Sequence, residues 1–295
     1  MFKNKNSTNE NITVKWLIDD YILKNSYHER LDHVLERNNI EYKVRQYIPF
    51  EREPEELPFN NGENVVVYGS VEFVNFWTRN TNYVPCSYYN ERELCCSFYM
   101  SKLSEFNDQF LNSECVFMPF GKFITDYQRV YEMFGTNVLF IRPDNGNKSF
   151  SGKMVHKGDI NHEHNAMKNL EHIDDSELIM ISYCKNINNE YRYFIVNGEI
   201  VGKTQYMLNG KLFMDEFTDA TCDHLANDIS KNDRQLDIAY VCDITVDNSD
   251  HEPKIVEFNS INSSGFYSAD IDSIVIKLSK AAMEEFEGEL SKVSL

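Results

Sequence analysis

Three side chains late in the sequence have types and spacing suited to holding a cation. Asp243 lies in an apolar run, and Glu257 and Asn259 lie two residues apart in a second, both within Tyr240 to Tyr267, YVCDITVDNSDHEPKIVEFNSINSSGFY. If the runs are strands, alternation points Glu257 and Asn259 to one face and leaves Val256 and Phe258 as the apolar opposite face. A hard cation such as magnesium takes oxygen ligands of this kind, especially when phosphates complete its shell. Taken singly, each residue reads more simply as a solvated strand residue; the combination favours the cation. The segment SINSSGFY that follows brings Ser263, Ser264 and Gly265, small residues that let backbone approach an anion closely.

A bound polyphosphate also needs positive charge, and bases are scarce in this chain, 29 against 47 acids. Arg142, Lys148, Arg192 and Lys203 all fall on or beside predicted strands of the central region. Charge-assisted contacts from such groups are the strong ones. For Arg142 and Arg192 an anion is the preferred partner over one of the many acids; for Lys203 the two readings stand level. No GxxxxGK[ST] loop and no GxGxxG turn occurs, so with 12 glycines in the chain a phosphate grip has to come from side chains. His162 and His164, in INHEHN, have no further Cys or His at ligand spacing and read as surface residues. Neither a Cys–His nucleophile nor a GxSxG turn is supported.

The elements that must position these groups are most legible after residue 120. Phe123, Tyr127, Val130, Tyr131 and Phe134 recur at helical spacing and Gly135 follows as a stop signal. Asn137 to Ile141 reads as a strand that leads into a polar segment, Arg142 to Val155, with Gly146, Gly152 and Lys153; Glu163 to Ile173 reads as a short helix. Strands are expected at Glu177 to Cys184, Glu190 to Val196 and Glu199 to Leu208, the last two joined by Asn197-Gly198 as in a two-residue hairpin. Asn209-Gly210 leads into KLFMDEF, which completes an antiparallel meander, and Ala220 to Ser230 reads as a helix.

Upstream, Val14 to Ile18, EYKVRQYIPF and NVVVYGS read as strands, the last buried on both faces. Ser26 and Glu29 have capping-box spacing before a helix carrying Tyr27, Leu31, Val34 and Leu35. Glu51 to Gly62 is a loop, and within the aromatic-rich stretch 75 to 120 only Leu103, Phe106 and Phe110 hint at a helix. After Tyr267, Asp270 is placed to cap a closing helix striped by Ile271, Ile274, Val275, Leu278, Ala281 and Ala282.

Composition narrows the class. The 295 residues, 42% hydrophobic and 26% charged, suit a globular chain of one or two units. A formal charge of −18 disfavours nucleic acid or an anionic membrane as partner. The seven cysteines form no C-x-x-C pair and mostly lie in apolar runs, as reduced thiols do in a cytoplasmic protein. The polar first dozen residues and the lack of a long apolar run add the expectation of a soluble, intracellular chain.

The order FIRPD…K.FSG, then ELIMISYCKNINNEYRYFIVNGEIVGKTQY, then YVCDI…PKIVEFNSINSSGFY resembles the ATP-grasp superfamily. It is most similar to the divergent clade marked by two arginines and a lysine, which includes many bacterial and phage proteins and the eukaryotic cell-division-cycle assembly factor for translation initiation factor 2. The resemblance covers about residues 137 to 287. It implies an α/β fold with a small N-terminal α/β lobe, residues 1–120, before a catalytic unit, 121–295, that clasps ATP between antiparallel sheets. It assigns Arg142 and Lys148 to the phosphates, the backbone of Tyr183 and Cys184 to adenine, and Arg192 to the terminal phosphate or acyl group with Glu190 nearby. Lys203 is grouped with the nucleotide-binding side chains. Asp243, Glu257 and Asn259 would hold magnesium. The implied reaction joins a carboxylate to an amine through an acyl phosphate, with either substrate free to be carried on a protein or peptide. The alternative is an ATP-binding assembly factor that modifies nothing.

Overall fold

The computed structural model describes residues 13–24, 29–49, 51–147 and 149–293. The cap expected at Ser26, its neighbour Tyr27 and the whole of Lys148 therefore lie outside the described residues. The chain divides into two units, residues 1–87 with 271–295 and residues 88–270, so the boundary expected at 120/121 falls inside the second.

The first unit is built on a parallel sheet. Its elements are β1 (Lys15–Asp19), α1 (Asp20–Lys24), α2 (Leu31–Arg37), β2 (Glu41–Arg45), β3 (Asn64–Tyr68), α3 (Val71–Asn80) and β4 (Val84–Cys86), in sheet order β2-β1-β3-β4. Every residue of β3 is buried, as its continuous apolar run requires. Ser70 caps α3 by accepting from the Phe73 amide at 3.3 Å, and its hydroxyl donates to Asp19 at 2.8 Å. The C-terminal helix, Ile271–Val293, returns to this unit: its expected stripe is buried, and Ser279 accepts from the Trp16 indole at 2.9 Å.

The second unit holds two antiparallel sheets. Helix α4 (Cys96–Lys102) is followed by a 3-10 turn at Ser104–Gln109, which takes the place of the helix expected around Phe106. Then come β5 (Cys115–Pro119), α5 (Phe120–Phe134), β6 (Val138–Pro143), β7 (Lys153–His156), α6 (Ile160–Leu170) and β8 (Leu178–Tyr183), with sheet order β5-β8-β6-β7. Helix α5 ends at Gly135, whose φ of 64° is the left-handed cap that glycine adopts without strain. Phe120, Phe123, Tyr131 and Phe134 of α5 pack with Leu139, Ile141, Ile179 and Ile181 of the sheet, and α6 adds Ile160 and Met167.

The second sheet runs β11-β10-β9-β12-β13, formed by β9 (Asn189–Val196), β10 (Glu199–Leu208), β11 (Lys211–Asp215), β12 (Ala239–Val246) and β13 (Pro253–Ser260), with α7 (Ala220–Ser230) before β12. Asp219 caps α7 through the Thr221 amide at 2.8 Å. Alternation sends Tyr193 and Ile195 of β9 and Tyr240 and Cys242 of β12 into a core with Cys222, Leu225, Ala226 and Ile229 of α7. Tyr99, Phe110 and Phe258 close that core, Tyr99 and Phe258 meeting edge to face at 5.1 Å. Alternation fails once: the register passes from Asp243↔Glu257 to Ile244↔Ile255, so Val256 is an extra residue and Ile255, not Val256, shares the apolar face with Phe258.

Residues Asn197 and Gly198 turn β9 into β10 with φ of 50° and 74°, the left-handed pair the sequence predicts. A Cβ on Gly198 would also stand 3.0 Å from the Ser230 carbonyl. Gly198→Ala should therefore cost about 1–3 kcal/mol and lower the thermal midpoint; calorimetry showing an unchanged midpoint would contradict this turn geometry.

Candidate functional site

The five-stranded sheet has one apolar face and one polar face, and the polar face carries the residues of interest. Three of them stand in a row across adjacent strands, because the register pairs Arg192 of β9 with Asp243 of β12 and Asp243 with Glu257 of β13. Opposed residues of an antiparallel pair place their side chains on one face within reach of each other. Arg192 accordingly donates to Asp243 in a fork, Nε to Oδ1 at 2.9 Å and Nη2 to Oδ2 at 2.8 Å. Glu190, two residues before Arg192, shares its face and accepts from the Tyr206 hydroxyl at 2.7 Å. Asn259, two residues after Glu257, donates from Nδ2 to Asp243 at 3.1 Å and to Glu257 at 3.0 Å.

The other sheet supplies the second arginine. Arg142, near the end of β6, donates from Nη2 to Glu257 at 2.6 Å. Both arginines hold their protons more firmly than a free guanidinium: burial works against the charge of each, and Glu257 beside Arg142 and Asp243 beside Arg192 outweigh it. Burial raises the Glu190 carboxyl, and the Asp243 and Glu257 charges add to that rise against the Tyr206 hydrogen bond. Burial likewise keeps the Tyr206 hydroxyl protonated and a donor.

Beside Arg142 lies the 144–152 connection between β6 and β7. Its start is fixed by Asp144, which accepts from the Ser97 amide at 2.7 Å and the Ser97 hydroxyl at 2.9 Å. Further on, Asn147 accepts from the Tyr89 hydroxyl, and Ser149 donates to Glu177. Gly152 closes the connection where a Cβ would stand 2.5 Å from the Phe140 ring, so no other residue fits without a shift. Lys153 is in β7 and pairs with Glu171 at 2.7 Å.

Two expected contributors stand elsewhere. Lys203 pairs in register with Tyr193, so it projects to the α7 side of the sheet and donates to Asp223 at 2.7 Å; the structure does not bring it to the arginine cluster. Its neighbour Thr204 is the residue opposite Arg192. Tyr183 ends β8 with its ring packed on Phe134 at 5.0 Å, and Cys184 opens the 184–188 connection between the two sheets, its thiol pushed up by burial. His162 and His164 lie on α6, the latter against Phe120.

Two residues without a sequence-based role join the cluster. Tyr206 is the extra residue of a bulge between Gln205 and Met207, which the sequence does not signal. Tyr267 stacks on it with ring centres 5.3 Å apart.

Among the described residues, no three His, Cys, Asp or Glu side chains gather as a metal site. The set here is two carboxylates and a carboxamide. They fit a hard divalent cation: one amide nitrogen already stands about equally far from Asp243 and Glu257, so the two acids converge on a single donor of positive charge.

Asp243→Ala should leave a buried, unpaired guanidinium and destabilise by about 3–5 kcal/mol; adding Arg192→Met should recover most of that loss in denaturant titrations, and no recovery would contradict the pair. For Glu190 the raised carboxyl favours the neutral form on folding. Its stabilising contribution is present at low pH and is lost as pH rises through the raised value. Glu190→Gln should therefore gain thermal stability over the parent protein as pH increases from about 5 to about 8; a gain that shrinks over this range would contradict the burial of this group.

Residues 124–275, just over half of the 295, match a family described as an ATP-grasp domain, the second family of its clade. No curated protein matches the sequence. Among solved structures, D-cycloserine synthetase DcsG is 11% identical with a TM-score of 0.63, over 92% of this chain and 99% of that one. The D-alanine–D-alanine ligase from Bacillus anthracis is 12% identical with a TM-score of 0.56, over 96% and 100%. The ATP-grasp ligase PsnB, complexed with minimal precursor, is 11% identical with a TM-score of 0.55, over 92% and 99%. At these identities the likeness is one of fold.

Proposed function

Because this chain belongs to the ATP-grasp superfamily and has its fold, we propose that it is a ligase that uses ATP and magnesium to join a carboxylate to an amine. The observation that carries the proposal is the polar row itself: Arg192, Asp243 and Glu257 in register, with Asn259 between the acids and Arg142 reaching across from the other sheet. All five lie within the matched residues. Two oxygen-rich acids beside two buried arginines are the halves of a site for a metal-bound polyphosphate.

Asp243, Glu257 and Asn259 would hold the magnesium, which when bound neutralises charge on the phosphates. Arg142 and Arg192 would bind phosphate oxygens, with Lys148 on the neighbouring connection, and the backbone of Tyr183 and Cys184 would meet the adenine edge. In the first step a carboxylate oxygen of the acid substrate forms a bond to the terminal phosphorus as the bond to ADP breaks. In the second, the amine forms a bond to the acyl carbon, phosphate leaves and the amine proton is released. The chain's own residues orient and neutralise, which is most of what phosphoryl transfer asks of a protein. A substrate carried on a peptide is in keeping with a similar fold that is complexed with a precursor.

The test is incubation with Mg-ATP and a panel of acids and amines that includes peptides, reading release of ADP and phosphate. Turnover is expected, and Glu257→Gln should lower its magnesium-dependent rate by at least about tenfold. ATP binding, seen as stabilisation of about 2.7 kcal/mol at 100 times the dissociation constant, with no turnover on any pair would favour the assembly-factor alternative. Normal turnover by Glu257→Gln would overturn the metal assignment.

A further inference from the structure

Arg192 is held in two ways that differ in what they leave free. The fork to Asp243 occupies its Nε and Nη2, and Nη1 reaches the Gly265 carbonyl at 3.4 Å. The guanidinium carbon also lies 4.7 Å from the ring centre of Tyr206 and 5.4 Å from that of Tyr267. Those rings are nearly parallel, 13° apart, so the cation rests against one continuous aromatic surface. Attraction to a ring face takes up no N–H donor.

Both rings are set in place by unusual backbone. Tyr206 is the added residue of its bulge, and its hydroxyl is anchored on Glu190. Tyr267 has a φ of 50°, a left-handed conformation that a bulky aromatic rarely adopts and that the surrounding structure must hold. Its ring passes so close to Gly265 that a Cβ there would stand 3.2 Å from it.

Resting on the nucleotide reading above, we propose that Tyr206 and Tyr267 are positioning residues that hold Arg192 in place for phosphate when a magnesium–nucleotide complex draws Asp243 to the cation. Asp243 cannot keep both oxygens in the fork and also serve a divalent ion. Once it turns, Arg192 loses two charge-assisted hydrogen bonds inside a buried site, where an unheld guanidinium would swing away or cost entropy to order. The contacts that persist include the Gly265 carbonyl and the two ring faces, which leave the fork free to meet phosphate oxygens. Metal binding and arginine alignment are thereby coupled through Asp243, with the rings taking over what the carboxylate gives up.

The test compares binding of the non-hydrolysable analogue β,γ-imido-ATP by calorimetry with magnesium and with EDTA, below each variant's melting midpoint. Tyr206→Leu and Tyr267→Leu should each weaken binding with magnesium by about three- to tenfold. With EDTA, where Asp243 still holds Arg192, each should stay within about twofold of the parent protein. Tyr267→Phe, which keeps the ring, should restore the magnesium value. Equal losses under both conditions, or no rescue by Phe, would overturn the proposal and leave the rings a packing role. Because Tyr267 is only half-buried, its variants keep the test open should Tyr206→Leu fail to fold. A parent protein that does not bind the analogue with magnesium at all would remove the nucleotide reading, and this proposal with it.

Discussion

The pairing of Arg192 with Asp243 is the constraint around which the second unit is arranged. Asp243 is fully buried and Arg192 nearly so, and taking two such charges from water costs several kcal/mol each unless geometry and further hydrogen bonds recover it. The recovery here begins with register. Because β9 and β12 are antiparallel neighbours with these residues directly opposed, the planar fork meets the carboxylate through two N–H groups instead of one. A slip of one residue would send both side chains to the α7 face, into a core of Tyr193, Cys242 and Leu225. The apolar face therefore fixes where the charges can stand.

The same logic extends outward along the sheet. Asp243 and Glu257 are opposed on neighbouring strands, an arrangement that would repel if nothing intervened. Three donors prevent that: Arg192 on one acid, Arg142 on the other, and the Asn259 amide bonded to both. Arg142 comes from the four-stranded sheet, so the second ion pair also ties β6 to β13. Charge balance and the association of the two sheets are one problem with one solution, and a substrate complex able to replace these partners must bring positive charge for the acids and negative charge for the arginines together.

Much of this is legible in the sequence, for a physical reason: local periodicity and turn chemistry are carried by neighbouring residues. Strand β10 and helix α7 fall where their patterns place them, and α5 ends at Gly135 as its stop signal indicates. Glu257 and Asn259 share a face because strand alternation holds between them. The departures arise where pairing with another strand decides. The bulge that makes Val256 an extra residue moves Ile255 to the apolar face, and the bulge at Tyr206 turns that ring toward Arg192; both are events of the ladder, not of the local sequence. Sequence position groups Lys203 with the arginines, yet opposition to Tyr193 commits it to Asp223 and the far face. The C-terminal helix joins the first unit through Trp16 and Ser279, more than two hundred residues apart in the chain, and no short window of sequence carries such a contact.

The choice of arginine over lysine at positions 142 and 192 follows from what each must do in turn. An ammonium is a strongly hydrated point charge, and burying it against one carboxylate leaves donors that need water or further acceptors. A guanidinium spreads its charge over a plane, so one edge can fork to Asp243 while the face lies on Tyr206 and Tyr267 and another N–H points to Gly265. That division of labour between edge and face is what allows a partner on the edge to change without releasing the group. Lysine at 192 could balance the charge of Asp243, but it has no second surface by which to stay in place when that carboxylate is called on elsewhere.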